Sequence, residues 1–89
     1  MPYELYISPS ALKELKTLDS KSKVLIKDKL KLLALDPFRN DMNIRKLKGK
    51  HQPDYYRIKS EDYRVIYHIE NNEIYVDKIG HRKNIYRGF

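Results

Sequence analysis

Apolar and polar positions alternate at the start of the chain. Tyr3-Glu4-Leu5-Tyr6-Ile7 has a period of two, which predicts a first strand. The period then changes. Ser8-Pro9 places a hydroxyl where a helix is capped and a proline at the first helical position. Ala11, Leu12, Leu15 and Leu18 follow on one face of a short helix. Asp19 or Ser20 can cap a second helix that runs to about Leu35. Ile26, Leu30 and Leu33 form its apolar stripe and Leu25 and Leu32 its shoulder, while Val24 and Leu35 fall outside. Asp36-Pro37 ends it, because the residue before a proline is steered out of helical geometry.

Residues 38–53 read as a connection containing Gly49 and Pro53, and strand patterns dominate thereafter. Asp54 to Lys59 is a strand in which Tyr56 and Ile58 alternate with Tyr55, Arg57 and Lys59. Ser60-Glu61-Asp62 is a polar turn. Tyr63 to Glu70 is the next strand, Asn71-Asn72 a tight turn, and Glu73 to Gly80 the last strand. A strict two-residue turn sets Glu70 opposite Glu73, an unfavourable pair that leaves this register open. A short basic tail, His81 to Phe89, closes the chain. The expected fold is α+β, in one domain over residues 1–89. It has an N-terminal strand, a helical hairpin and a three-stranded antiparallel meander, with one small sheet carrying its helices on one face.

Charge adds a direction. The 89 residues carry 19 Lys+Arg against 12 Asp+Glu, for a net charge of +7. The excess is concentrated. Residues 43–59 hold Arg45, Lys46, Lys48, Lys50, Arg57 and Lys59 against Asp54 alone, and residues 78–89 hold four basic residues and no acid. Residues 60–77, by contrast, sum to −4. Two such basic segments point either to a polyanionic partner or to a solvated basic surface. Cysteine is absent, which rules out disulfides and thiolate chemistry and fits a reducing compartment. No signal-peptide pattern and no apolar run near the ~20 residues of a membrane span are present, so a cytoplasmic protein with no membrane partner is expected.

The glycines are too scattered for a phosphate-binding loop, and His51, His68 and His81 lack metal-ligand spacing, so no cofactor or metal is expected. What remains is a set of Arg, Lys, Tyr and His on the C-terminal strands and tail. That set suits metal-independent RNA cleavage, in which the 2′-OH attacks the neighbouring phosphate. The protein must then take a proton, stabilise charge on phosphorus and protonate the leaving oxygen. Arginines can hold the phosphate, a lysine crowded by cations can act as a base, and a tyrosine can stack on a base. Arg57 and Lys59 share a strand face, which is either a site or a solvated surface. Arg64 is either a phosphate ligand or the partner of Asp62 or Asp77. Arg82 and Tyr86 are either functional or part of a tail that Tyr86 anchors to the sheet. His81 is either an acid–base group or a surface residue.

Four segments bear on this choice: Lys46-Leu47-Lys48-Gly49, Tyr55-Tyr56-Arg57-Ile58-Lys59, Asp62-Tyr63-Arg64-Val65-Ile66-Tyr67 and Ile79-Gly80-His81-Arg82-Lys83-Asn84-Ile85-Tyr86. Together they resemble the RelE family of bacterial and archaeal toxin–antitoxin systems, along essentially the whole chain. The Tyr-Arg-Val-Ile-Tyr strand is shared across the wider RelE/ParE superfamily, whereas the Gly-His-Arg-x-x-x-Tyr ending is more specific to the mRNA-cleaving branch. The resemblance implies a ribosome-dependent endoribonuclease that cleaves mRNA and inhibits translation. It implies Lys59 as general base, Arg64 and Arg82 on the phosphate, with Arg82 also aiding the leaving group, and Tyr86 stacking on the nucleotide. Arg57 stands where the best-known member has lysine, and a guanidinium does not easily release a proton. His81 stands where some relatives place a catalytic histidine.

Arg45, Lys46, Lys48, Lys50, Arg57, Lys83 and Arg87 are the further candidates for contacting RNA. The partners implied are the ribosome with its mRNA and a RelB-like antitoxin, expected as an acidic, partly helical segment in a hetero-oligomer. Two other functions fit the same fold: a ParE-like inhibitor of DNA gyrase, and a basic RNA- or ribosome-binding domain without chemistry.

Overall fold

The computed structural model describes residues 2–39, 41–47 and 54–87. Strand β1 spans Glu4–Ile7, helix α1 Pro9–Thr17, helix α2 Ser20–Leu35, and strand β2 Arg45–Lys46. Strands β3, β4 and β5 span Tyr56–Ser60, Tyr63–Glu70 and Glu73–His81. The helix starts are those the sequence encodes. Ser8 Oγ accepts from the Ala11 amide, and the Asp19 carboxylate accepts from the Ser22 amide at 3.2 Å and its hydroxyl at 2.6 Å. Each side chain thereby satisfies an amide that has no partner inside its helix.

The sheet has five strands in the order β1-β5-β4-β3-β2. It exceeds the expected three-stranded meander in two ways. First, β1 lies parallel to β5, with Glu4 opposite Glu73 and Ile7 opposite Val76. Second, the connection before β3 contributes β2, antiparallel to β3. The strand expected over Asp54–Lys59 begins two residues later, at Tyr56, and ends at Ser60. Local pattern could not supply either addition. A two-residue strand has no period, and a parallel partner 69 residues away leaves no turn signal.

The helical hairpin covers one face. Ala11 and Leu15 of α1 and Ile26, Leu30 and Leu33 of α2 pack with Ile58, Val65, Tyr67, Ile74, Val76 and Ile79 of the sheet. The other face is open and carries the alternate residues of each strand. One irregularity decides which residues those are. Ile66 lies opposite Lys78 but Tyr67 lies opposite Val76, so Asp77 is an extra residue in β5. This bulge lets Val76 and Ile79 both reach the core while Lys78 faces the open side.

The β4–β5 turn does set Glu70 opposite Glu73. Asn71 takes a left-handed φ of 55°, which Asn tolerates better than most residues. Each acid has a polar group nearby. Glu73 Oε1 accepts from the Tyr75 hydroxyl at 3.0 Å, and Glu70 Oε1 is 3.7 Å from His68 Nε2.

Tyr67 is the largest fully buried side chain, stacked at 24° on Tyr56, and its hydroxyl has no hydrogen-bond partner among the described residues. Burial, with Tyr56 alongside, holds that phenol well above its ordinary pKa. An unpaired buried hydroxyl costs about 1–3 kcal/mol. Tyr67→Phe should therefore stabilise the fold by about 1 kcal/mol, raising Tm by roughly 4–8 °C. A lowered Tm in thermal denaturation would show that the hydroxyl contributes net stability instead.

Candidate functional site

Strand register concentrates the basic residues on the open face. Arg45 lies opposite Arg57 across β2 and β3, and Lys59 lies opposite Arg64 across β3 and β4. Arg57 and Lys59, two apart on β3, join these pairs into one cluster. Beneath them is Ile66, fully buried on this side and flanked in register by Arg57 and Lys78. The floor is thus apolar and the walls are cationic.

Among the described residues, no carboxylate forms an ion pair with Arg45, Arg57, Lys59 or Arg64. The effect is legible at Lys59. Its pKa is lowered from the ordinary lysine value chiefly by the charge of Arg57, then by partial burial, then by Arg64 and Arg45. Arg57 itself has Nε and one Nη enclosed, without a hydrogen-bond partner among the described residues. Enclosed guanidinium donors are costly to leave unpaired.

Arg64 is held rather than free. It is only 8% exposed, and its Nη1 donates to the carbonyls of Glu61 at 2.8 Å and Tyr63 at 2.9 Å. Glu61 takes a left-handed φ of 54°, an unfavourable backbone for Glu, at the turn whose carbonyl fixes this guanidinium. The carboxylates weighed as its partners are engaged elsewhere: Asp77 lies 2.6 Å from His68 Nδ1, and Asp62 lies 3.6 Å from Arg82 Nε. The Arg82 amide also donates to the Asp62 carbonyl at 2.8 Å. Arg64 and Arg82 therefore meet at the same β3–β4 turn, next to Lys59.

The tail, residues 82–87, is a series of turns. Its anchor is Ile85 rather than Tyr86: Ile85 is 5% exposed and Tyr86 40%. A Cβ added to Gly80 would lie 3.1 Å from Ile85 Cδ1, so a larger residue there would require the Ile85 side chain to give by a few tenths of an ångström. Lys78 Nζ donates to the carbonyls of Ile85 at 3.4 Å and Arg87 at 3.1 Å. Tyr86 is thus presented to solvent by buried or anchored neighbours. Lys83 and Arg87 are exposed beside it.

His81 is placed elsewhere. It lies opposite Tyr63, its ring edge-on to the Tyr63 ring at 5.8 Å, and Tyr63 packs against the helix-side core. Strand alternation puts it on the opposite face from Arg64 and Lys59. Its Nδ1 accepts from the Lys83 amide at 3.1 Å, and the ring lines a cleft of about 530 Å³ with Ser10, Glu14 and Ile85. Of the remaining candidates, Lys46 is exposed and 3.3 Å from Asp54, and Lys48 and Lys50 lie outside the described residues. The sequence reading overlooked three contributors: Ile66 as floor, Gly80 as tail niche and Lys78 as tail tether. Only the glycine left a signal, through its place in Gly-His-Arg.

A family profile described as the ParE toxin of type II toxin–antitoxin systems matches residues 5–86. No curated protein matches the chain significantly. Several solved structures are similar to it. The archaeal RelE–RelB complex from Pyrococcus horikoshii is similar at 27% identity and a TM-score of 0.78, over 94% of this chain and 99% of that one. The isolated E. coli RelE toxin is similar at 30% identity and a TM-score of 0.74, over 89% and 83% of the two chains. The RelB–RelE complex from Methanococcus jannaschii is similar at 28% identity and a TM-score of 0.75, over 94% and 98%.

The tail geometry can be tested separately from any activity. Ile85→Ala removes the anchor and should free the turns that depend on it. Hydrogen exchange at the Ile85 and Arg87 amides, which donate to His81 and Asn84 carbonyls, should accelerate at least tenfold while β4 amides stay protected. Unchanged exchange in the tail would mean that Lys78 or another contact holds it.

Proposed function

The chain belongs to the RelE/ParE superfamily of toxins from type II toxin–antitoxin systems, and on that footing we propose that it is a ribosome-dependent endoribonuclease that cuts mRNA without a metal. The observation that carries this reading is Lys59 surrounded by Arg57, Arg64 and Arg45, its pKa lowered and no carboxylate paired to the group among the described residues. A surface built only for solubility has no need to crowd four cations in register.

In the proposed reaction, Lys59, when neutral, takes the proton from a ribose 2′-OH. The 2′-oxygen attacks the adjacent phosphorus, the bond to the 5′-oxygen breaks, and a 2′,3′-cyclic phosphate remains. Arg64 and Arg82 stabilise the extra negative charge on phosphorus, and the leaving 5′-oxygen, assisted by Arg82, takes a proton from water, while Lys59 returns its proton to solvent. Arg57 keeps its charge and acts on the phosphate and on Lys59. Tyr86 stacks on the base. Arg45, Lys46, Lys83 and Arg87 extend the basic surface for the RNA backbone. His81, on the other face, takes no part in these steps.

Silencing such a protein means covering its cations. An antitoxin with an acidic, partly helical segment is therefore the proposed partner, and two of the similar structures are complexes of RelE with RelB. The match to the ParE family favours a second reading, a gyrase inhibitor on the same fold. One experiment separates the two: purified protein is added to ribosomes translating a defined mRNA, and in parallel to a gyrase supercoiling reaction. The nuclease reading expects mapped breaks in the mRNA and normal supercoiling. Intact mRNA with blocked supercoiling would replace it with the gyrase reading.

Variants then divide chemistry from binding. On saturating programmed ribosomes, Lys59→Ala should lower single-turnover cleavage by roughly 10²–10⁴-fold. Arg82→Ala should cost roughly 10²–10³-fold, and Tyr86→Ala about 10²-fold through misplacement of the nucleotide. Lys13→Ala, on the exposed side of α1, should change nothing. Affinity for the ribosome should fall steeply with salt in every case, because each phosphate contact releases counterions. Parental cleavage rates in Lys59→Ala and Arg82→Ala would reduce these residues to electrostatic attraction alone.

A further inference from the structure

Strand β3 ends its pairing with β2 too early for Lys59. A two-residue turn makes Ser60 and Tyr63 a hydrogen-bonded pair, so Lys59 and Arg64 form the next, non-hydrogen-bonded pair. The backbone N–H and C=O of Lys59 therefore point away from β4, toward the side where β2 lies. The same alternation is visible one step along: the Leu47 amide donates to the Tyr55 carbonyl, and Arg45 pairs with Arg57. Continuing that register would bring residue 43 opposite Lys59. Asn43, however, has a left-handed φ of 51° and lies before the start of β2. Among the described residues no strand partner reaches the Lys59 carbonyl, and an acceptor at such an edge needs a donor from elsewhere.

That donor comes from the helix layer. Lys29 of α2 places Nζ 2.5 Å from the Lys59 carbonyl oxygen. Lys29 is half-buried in the middle of α2, between the buried Ile26 and the buried Leu30 and Leu33. Its helix is thus fixed by the core, and the lysine stem carries that fixity to the end of β3. We propose that Lys29 is a positioning residue for the cationic site: its ammonium completes the missing strand contact at Lys59 and sets the spacing between Lys59 and the phosphate-facing arginines.

The consequence is specific. Lys29 lies on the helix side of β3 and reaches the site only through the Lys59 backbone, so its effect on RNA affinity should be small and its effect on the reaction large. A misplacement of about 1 Å can cost a reaction up to ~10²-fold. Arg can supply the same charged donor, whereas Met keeps the apolar stem and loses the donor.

The proposal rests on the nuclease reading, and the test keeps the two apart. The first arm is single-turnover cleavage on saturating ribosomes, with ribosome affinity and Tm measured alongside. Lys29→Met should cut about tenfold more slowly at nearly unchanged affinity and Tm, Lys29→Arg should recover most of the rate, and Lys31→Met, which removes an exposed charge from the same helix, should match the parent. Parental cleavage in Lys29→Met, or a loss that tracks Tm or affinity, overturns the proposal. The second arm needs no activity and no variant that folds. In the parent, NMR should detect a slowly exchanging Lys29 ammonium with scalar coupling to the Lys59 carbonyl carbon. If the parent cuts no RNA, the nuclease reading fails and this coupling alone decides whether Lys29 holds β3. Absence of the coupling overturns the positioning role whatever the activity.

Discussion

Like charges held in register are the constraint on which the rest of this molecule depends. Arg45 against Arg57 and Lys59 against Arg64 are cross-strand pairs that oppose sheet formation. The sheet forms because its other face is buried: the alternate residues of β3, β4 and β5 supply Ile58, Val65, Tyr67, Ile74, Val76 and Ile79 to the core. Burial of a single Ile or Val side chain is worth about 1.5–3 kcal/mol, and several such residues together outweigh the repulsion within the two like-charged pairs. The helical hairpin thus supplies the stability, and the open face holds the charges that an anionic ligand would neutralise. Repulsion that weakens the fold is the same feature that lowers the Lys59 pKa.

Each end of the open face solves a different electrostatic problem. At the β4–β5 turn, Glu4, Glu70 and Glu73 meet across three strands. The Tyr6 hydroxyl donates to Glu4 at 2.6 Å, the Tyr75 hydroxyl to Glu73, and His68 lies by Glu70. The aromatic rings then stack, Tyr6 on Tyr75 at 5.3 Å and Tyr75 on His68 at 5.1 Å. Acids there are paired within the sheet. At the β3–β4 turn Arg64 has carbonyls rather than carboxylates to satisfy it, and Arg82 makes an exposed contact with Asp62. Neutral carbonyls orient Arg64 without cancelling its charge, which is what a phosphate-binding surface requires.

Much of this was legible in the chain. Ser8-Pro9, Asp19 and Asp36-Pro37 mark the helix ends through local capping chemistry, and local chemistry survives into the fold. The alternation of Tyr63 to Glu70 predicts a strand with those bounds, and the spacing of Arg57 and Lys59 predicts their shared face. What could not be read was non-local. The parallel pairing of β1 with β5, the short β2 and the bulge at Asp77 follow from packing between distant segments. The bulge mattered most, because Val76 and Ile79 are three apart and break the period of two. Of the two readings of the tail, the one that makes Tyr86 its anchor fails, because the niche over Gly80 holds Ile85 and Tyr86 is exposed. His81 drew attention through its neighbours in sequence, whereas alternation places it on the other face.

The central claim is that the fold places Lys59 among cations so that it is neutral more often than an ordinary lysine. The most direct measurement is an NMR titration of the Lys59 side chain, followed at its ε-carbon or ζ-nitrogen, in the parent protein and in Arg57→Gln. Because nearby positive charge disfavours the ammonium form, the midpoint in the parent should lie below the ordinary lysine value of about 10.4. Since Arg57 is the largest cause of that lowering, the midpoint should move back up when Arg57 is neutralised. A parent midpoint at the ordinary lysine value, unmoved by Arg57→Gln, would contradict the account.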